Sequence, residues 1–449
     1  MYWQMTLNAS YQCIDGCNGS YSLDQVIYRC PQCGELLTVV HDLAALRERT
    51  AQEWRSLFAA RAMDPVGIES SGVWSKREWV NPNLATSDLV SLPEGFSPLF
   101  RAQRLGKHLG LQHLSVKLCG NSATGSFKDL GMTVLVSQVN RIKRTRGSIR
   151  AAICASTGDT SASLAAYCAA AGIPAIVLLP ADKISTAQLI QPLASGALTL
   201  TLDADFDGCM RLVNRLAASP EYYLANSLNS LRLEGQKTIA IEVVQQLGWQ
   251  SPDWVIVPGG NLGNISAIGQ GFLLMKELGL IEQLPRLACI QAQNANPLYK
   301  SFKTGFQVFR PQPAKATAAS AIRIGNPVSI KRAIRTLRET NGLVEQASES
   351  ELAEAAALGD RFGLFTCPQT GVAFAGLIKL IAAGQINRDD RVIVISTASG
   401  LKFVDFKIHY HNGTLPELSS RSANRSRPLP LVEEQVRGEI ESFISHYGI

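Results

Sequence analysis

Short apolar, often β-branched runs alternate along most of this chain with longer stretches whose apolar residues recur every three or four positions. Runs of four to eight such residues, separated by helical stretches, predict parallel strands covered by helices on both faces. The runs at 114–119, 150–154, 175–179, 197–202, 254–257, 287–291 and 391–395 are the candidate strands. A helical pattern begins near Ser126, and Phe206, Met210, Val213 and Ala217 share one face of another helix. Before residue 99 the pattern changes. A helical segment over 42–62 is followed by a Gly-, Ser- and Pro-rich passage over 65–98, whose end, Leu92-Pro-Glu-Gly-Phe-Ser-Pro-Leu-Phe, reads as an extended arm. After residue 410, a basic, Ser-rich stretch at 419–430 reads as a linker, and 432–447 as an amphipathic helix packed back on the body. The expected fold class is α/β, with two doubly wound domains. The expected divisions are 1–40, 41–98, a body over 99–410 with a smaller mobile domain at about 135–235, and a tail over 411–449.

Length and charge narrow this picture a little. A chain of 449 residues suffices for two large domains and an appendage. A net charge of +6 is too small to suggest nucleic acid by itself, and it suits an anionic small substrate. No apolar run of about 18 residues marks a membrane span, and the start, Met-Tyr-Trp-Gln-Met-Thr, lacks the form of a signal peptide. Six of the ten cysteines (Cys119, Cys154, Cys168, Cys209, Cys289, Cys367) lie scattered in apolar contexts and read as buried hydrophobes. A reducing, cytoplasmic location is expected, with neither nucleic acid nor membrane as partner.

The other four cysteines cluster. Cys13-x3-Cys17 is followed, twelve residues on, by Cys30-Pro-Gln-Cys33-Gly. Paired knuckles of this spacing present four thiolates to one tetrahedral ion, so a zinc-ribbon-like unit with a structural Zn2+ is expected. Four cysteines fill the shell, which argues against catalytic zinc. Few aromatic or basic residues surround the ribbon, so it makes a poor nucleic-acid surface.

Five stretches carry chemistry. The first, Gly120-Asn-Ser-Ala-Thr-Gly-Ser-Phe-Lys-Asp129, places Lys128 at the start of a helix among apolar and hydroxylic neighbours. The positive helix end and desolvation both lower a lysine pKa, as a Schiff-base nucleophile requires. The second, Ala155-Ser-Thr-Gly-Asp-Thr-Ser-Ala-Ser, follows a strand and offers backbone N–H groups and hydroxyls to an anion; it also reads as a well-capped helix start. The third, Val257-Pro-Gly-Gly-Asn-Leu-Gly-Asn-Ile-Ser, has the character of a phosphate loop but matches neither the dinucleotide fingerprint nor a Walker sequence. The fourth, Ile395-Ser-Thr-Ala-Ser-Gly-Leu-Lys, offers a hydroxyl that could face a pyridine nitrogen: Thr397 first, with Ser396 and Ser399 as alternatives. The fifth, Ala225-Asn-Ser-Leu-Asn-Ser-Leu-Arg-Leu-Glu-Gly-Gln-Lys-Thr, brings Asn226 and Arg232 to one strand-to-helix junction.

The lysine stretch resembles the pyridoxal-phosphate (PLP) motif of the fold-type II, tryptophan-synthase-β-like enzymes. The five stretches together, over roughly residues 90–410, resemble the threonine synthase family. The resemblance implies that Lys128 holds PLP, with Phe127 beside it. Gly259, Gly260, Asn261, Leu262, Gly263 and Asn264 would cradle its phosphate, and Thr397 would face its ring nitrogen. Asp159 would stand by its phenolic oxygen, where many related enzymes carry Asn. Ser156, Thr157, Thr160, Asn226 and Arg232, with help from Lys117, would bind the substrate. The implied activity is that of a lyase converting O-phospho-L-homoserine and water to L-threonine and phosphate, in a homodimer. The alternatives are a cysteate-synthase-like enzyme acting on O-phosphoserine, or a non-catalytic, zinc-dependent interaction protein.

Overall fold

A computed structural model describes residues 7–64, 66–156, 158–181, 186–416, 418 and 420–446. Its strands fall into three sheets. The first is antiparallel and N-terminal: β1 (Ala9–Cys13) lies between β2 (Tyr21–Ser22) and β3 (Leu37–His41). The largest has six strands. It uses β4 (Leu99–Arg101) and β5 (His113–Leu118), and resumes much later in the chain with β10 (Trp254–Pro258), β11 (Arg286–Ala292), β12 (Leu343–Ala347) and β13 (Arg391–Ser396). The third sheet has four strands that interrupt the second: β6 (Ala151–Ala155), β7 (Ala175–Pro180), β8 (Leu198–Leu202) and β9 (Tyr222–Leu224).

The six strands run in the order β12-β11-β10-β13-β5-β4, parallel except that β4 pairs antiparallel with β5 at one edge. The arm expected at 92–100 thus enters the body as an edge strand. The four-stranded sheet is parallel throughout, in the order β8-β7-β6-β9. Successive side chains of a strand point to opposite faces, and here both faces are buried. Val255, Val257, Ile393 and Ile395 feed one core, while Ile256, Val392, Val394 and Val116 feed another. In the smaller sheet Ala152 and Cys154 face one cluster and Ile153 and Ala155 a second.

In both sheets the chain leaves a central strand in two directions, and such switch points open a crevice at the carboxyl ends of the strands. In the large sheet this point lies around β13, flanked by β10 and β5. In the small one it lies between β6 and β9. All five chemistry-bearing stretches follow the carboxyl ends of these five strands.

All seven candidate strands are present. The pattern missed β9, which has three residues, and β12, an edge strand carrying Glu345 and Gln346 among its five. The terminal helix, Glu433–His446, forms as expected, but among the described residues Val436 and Ile440 on its apolar side, and Leu431 just before it, are exposed instead of packed on the body.

Candidate active site

Lys128 is the first residue of a 19-residue helix, Lys128–Arg146. Two backbone hydrogen bonds stitch the segment before it to the loop after β13: Phe127 N–H donates to Thr397 O at 2.9 Å and Ser399 N–H to Gly125 O at 3.0 Å. A side chain at Gly120 would meet Ser399 N at 2.4 Å, so this glycine permits the close approach. Asp129 is buried. It accepts from Thr124 N–H (2.9 Å) and Thr124 Oγ–H (2.6 Å), which fixes the preceding loop. Lys128 Nζ sits 4.1 Å from the centre of the Phe127 ring. Burial of the ammonium is the main cause that lowers the Lys128 pKa to about 8; Arg232 and Lys402 push the same way, and Asp159 and Cys367 oppose. The amine is therefore available as a free base near neutral pH.

Arg232 reaches this lysine because two helices cross in close contact. Gly131 on the lysine helix packs on the Arg232 backbone, where a Cβ would lie 2.6 Å from Arg232 O. Gly235 packs back on Leu130, where a Cβ would lie 1.6 Å from the Leu130 carbonyl oxygen. The buried guanidinium donates from Nη1 to Ala225 O (3.0 Å) and from Nη2 to Thr160 Oγ1 (3.3 Å), and its Nε has no partner. Burial lowers its pKa to about 10, which still leaves it charged at neutral pH. A buried cation with an unused donor is a ready anion site. Asn226 serves differently from the expectation. Its side chain exchanges two hydrogen bonds with the Ala155 backbone (3.0 and 2.8 Å), so it is a strut between the ends of β6 and β9. Ser156 Oγ accepts from Gly158 N–H (3.2 Å) and Ser161 N–H (3.3 Å), capping the start of the helix Asp159–Ala170. Thr157 lies outside the described residues.

The third loop opens the 15-residue helix Gly263–Glu277, whose first N–H groups have no partner within the helix. The residue in the left-handed region is Leu262 (φ +65°), not one of the glycines. Strain of this kind concentrates where a loop must hold a ligand. Gly259 and Gly260 are small for packing instead: a Cβ at Gly259 would lie 2.4 Å from Cys289 Sγ, and one at Gly260 2.9 Å from Ile322. Asn261 Oδ1 accepts from Val328 N–H at 3.3 Å and its carbonyl from Ser329 N–H at 3.1 Å, while Asn264 Nδ2 donates to Pro258 O at 2.7 Å. Thr397 is buried, with its hydroxyl 3.5 Å from Cys367 Sγ.

Lys128, with its lowered pKa, the start of the Gly263–Glu277 helix, the buried Arg232 and the Thr397 hydroxyl thus all follow the carboxyl ends of the switch-point strands. The family described as pyridoxal-phosphate dependent enzyme matches residues 90–398. Threonine synthase 2, chloroplastic, of Arabidopsis thaliana is 57% identical over 407 residues, covering 90% of this chain and 79% of that protein. Threonine synthase of Methanocaldococcus jannaschii is 40% identical over 393 residues, covering 87% and 93%. This chain belongs to the threonine synthase family of pyridoxal-phosphate-dependent enzymes. The crystal structure of threonine synthase from Escherichia coli shares the fold, with a TM-score of 0.65 at 20% identity over 97% of this chain and all of that one.

The residues present fit the cofactor of the threonine synthase family: an amine with a lowered pKa, a helix start preceded by a strained residue, and a buried hydroxyl. One expected substrate residue does not belong to the site. Lys117 is fully buried, and its Nζ donates to Ser97 O (2.6 Å), Glu242 Oε2 (2.5 Å) and Gln246 Oε1 (2.9 Å). Its three donors are spent, because an ammonium in an apolar interior needs a carboxylate and full hydrogen bonding. The structure adds Lys402, Gln191, Cys367 and Thr370, none of which was a site candidate. Lys402 closes one of the quoted stretches and Cys367 precedes a helix-starting proline, but their contacts span up to 278 positions and leave no local signal.

The cysteine cluster lies apart from the cleft. The sulfurs of Cys13, Cys17, Cys30 and Cys33 all fall within 4.8 Å of one another. A tetrahedral zinc with Zn–S near 2.3 Å needs sulfurs about 3.8 Å apart, so the four suit it. The sheet bearing them is bolted to the catalytic body. Lys331 Nζ bridges Asp15 (2.7 Å) and Glu35 (2.5 Å), and Arg335 donates to Ile14 O (2.8 Å). The Leu37 carbonyl accepts from both Ser230 Oγ–H and Arg332 Nη2, and His41 Nε2 meets Glu234 at 2.7 Å, which also pairs Lys237 at 2.5 Å.

Proposed function

We propose that this member of the threonine synthase family converts O-phospho-L-homoserine and water to L-threonine and phosphate. The observation that carries this reading is the pairing of Arg232 and Thr160 beside Lys128: a second anion site next to the amine, separate from the Gly260–Asn264 loop. A substrate without a phosphate would bring only its carboxylate to this second site, whereas a buried guanidinium paired with a hydroxyl also suits the larger and more highly charged phosphate.

Lys128 would hold the cofactor, the Gly260–Asn264 helix start its phosphate, and the Thr397 hydroxyl would face its ring nitrogen without protonating it. The bound cofactor supplies an electron sink for carbanions at Cα and Cβ of the substrate. Lys128 Nζ moves the protons, taking one from Cα and one from Cβ; as the Cγ–O bond breaks, one proton leaves with the phosphate and one is delivered at Cγ, and the lowered pKa suits both directions near neutrality. Arg232, oriented by Ala225 O and Thr160, holds the leaving phosphate. Water then adds across Cα and Cβ, its hydroxyl to Cβ and a proton back to Cα. Excluding water until that step calls for the smaller sheet, within about residues 135–235, to close over the larger one.

Phosphate release from O-phosphohomoserine, with threonine quantified beside it, tests this. Equal amounts from the wild type and neither from Lys128→Ala are expected. Cofactor binding with no phosphate released would remove the substrate assignment. Three further readings accompany it. A structural zinc at Cys13, Cys17, Cys30 and Cys33 rests on their convergence, and metal analysis should find about one ion per chain. A homodimer rests on the family resemblance, and sedimentation tests it. A reducing, cytoplasmic location rests on ten cysteines outside any disulfide, and no helix among the described residues is long and apolar enough to cross a membrane. The chloroplastic relative points to an equally reducing alternative, which fractionation of the source cells would distinguish.

A further inference from the structure

Lys402 is nearly buried, on the short turn Gly400–Phe403 that follows β13. Its stem passes over Gly125, where a Cβ would lie 3.1 Å from Lys402 Cδ. Its ammonium then meets three groups from three parts of the chain. It donates to Thr124 O at 2.8 Å, in the loop before Lys128, and to Gln191 Oε1 at 2.5 Å, on the helix Thr186–Ala194 of the smaller sheet. It lies 3.3 Å from Asp159 Oδ1, at the start of the helix after β6. Gln191 Nε2 also donates to Thr124 O, at 3.1 Å, closing a triangle. Two hydrogen bonds and one ion pair engage this ammonium. The Asp159 oxygen, by contrast, has the ion pair but no aligned hydrogen bond.

We propose that Lys402 is a positioning residue of this active site, holding the Asp159 carboxylate beside Lys128 and tying the Gln191 helix of the smaller sheet to the Thr124 loop of the larger. Two consequences follow. Asp159 is a buried anion near the Lys128 amine, and alone it would favour the ammonium. Lys402 supplies an offsetting cation at contact distance from that anion, so the pair leaves Lys128 able to shed its proton. The same side chain spans the cleft, so the seating of the two sheets around a phosphorylated substrate and the charge at Lys128 are set together. This second consequence rests on the proposed substrate; the first does not. The charged and titratable groups that act on Lys128 are Asp159, Arg232, Lys402 and Cys367, and only the first and third form a pair with each other.

The test titrates covalent capture of pyridoxal phosphate by the cofactor-free protein, with no substrate present, against pH. Removing a cation must raise the apparent midpoint of Lys128, and removing an anion must lower it. Lys402→Met is therefore expected to shift the midpoint up and Asp159→Asn to shift it down, with the double variant returning toward wild type. A purely structural role would perturb both in one direction or leave both unmoved, and either result overturns the proposal. Should Lys402→Met fail to fold, Lys402→Gln keeps a donor for Thr124 O, and an unmoved midpoint in it counts equally against the idea. With O-phosphohomoserine, Lys402→Met should lower kcat/KM at least about tenfold, with part of the loss regained in the double variant. Strictly additive losses would overturn the coupling. If the wild type left that substrate untouched, the substrate assignment would fall while the cofactor titration still decided the role of Lys402.

Discussion

The reactivity of Lys128 gives the sharpest quantitative test. Its amine titrates at about 8, against 10.5 for an ordinary lysine, mainly because protein surrounds the charged form. At pH 7.5, an amine of pKa about 8 is roughly one quarter free base, whereas an ordinary lysine is about 0.1% free base. The gain in reactive amine is about 200-fold. A weaker base is also a poorer nucleophile; if amines follow the slope of thiols, about tenfold is given back, leaving a net advantage on the order of twentyfold. The pH profile discriminates better than the absolute rate. Between pH 6.5 and 9.5, capture of pyridoxal phosphate by the cofactor-free enzyme should rise about thirtyfold and flatten above pH 8.5; an unperturbed lysine would climb about 900-fold and keep climbing. The sign is fixed: a lowered pKa moves the plateau to lower pH. The assay is stopped-flow absorbance of the lysine–cofactor adduct, with Lys128→Ala as the blank. A rate still rising a decade per unit at pH 9.5 would refute the claim that this site desolvates its lysine.

Three other outcomes are expected. Arg232→Met removes a buried cation from the second anion site and should cost about 2–4 kcal/mol, or roughly 30- to 1000-fold in kcat/KM for the phosphorylated substrate, while cofactor affinity measured by absorbance titration changes much less. Gly235→Ala places a methyl group against the Leu130 carbonyl at the helix crossing, so thermal unfolding should show a loss of about 1–3 kcal/mol or more, and the misplaced Arg232 should depress phosphate release as well. Glu242→Gln strands the buried Lys117 ammonium and should destabilise by about 3–5 kcal/mol in urea unfolding without raising KM; a raised KM would return Lys117 to the site.

Much of this site was readable from sequence because its parts are local. Lys128, Leu262 and Thr397 each stand where a strand of a parallel sheet gives way to a helix or turn, and such junctions show as apolar runs ending in Gly, Ser and Asn. The sheets themselves were legible for the same reason, apart from β9, too short to show a pattern, and β12, half polar at an edge. What escaped was the direction of side chains. Lys117 stood at the end of the strand that precedes Lys128 and looked available, but its partner Glu242 lies 125 positions away. Lys402 was quoted within a motif whose hydroxyls drew the attention, and its partners lie on three separate segments. Asn226 was expected to grip phosphate, whereas its amide is spent on the Ala155 backbone 71 positions earlier. The terminal helix shows the opposite failure: its amphipathic pattern predicts the helix but does not say what, if anything, its apolar face meets.

The bolting of the cysteine-bearing sheet to the helix that carries Arg232 bears on where the working unit begins. The family match starts at residue 90, yet the carbonyl that receives Ser230 and Arg332 belongs to Leu37, and the imidazole that meets Glu234 belongs to His41. A protein trimmed to that region would keep every residue proposed to hold substrate or cofactor. It would lose the acceptor for two buried donors and leave Glu234 and Lys237 without their third member. The family model alone would therefore mark the cut about fifty residues too late, whereas the threonine synthase relatives, matched over 87–90% of this chain, extend well before residue 90.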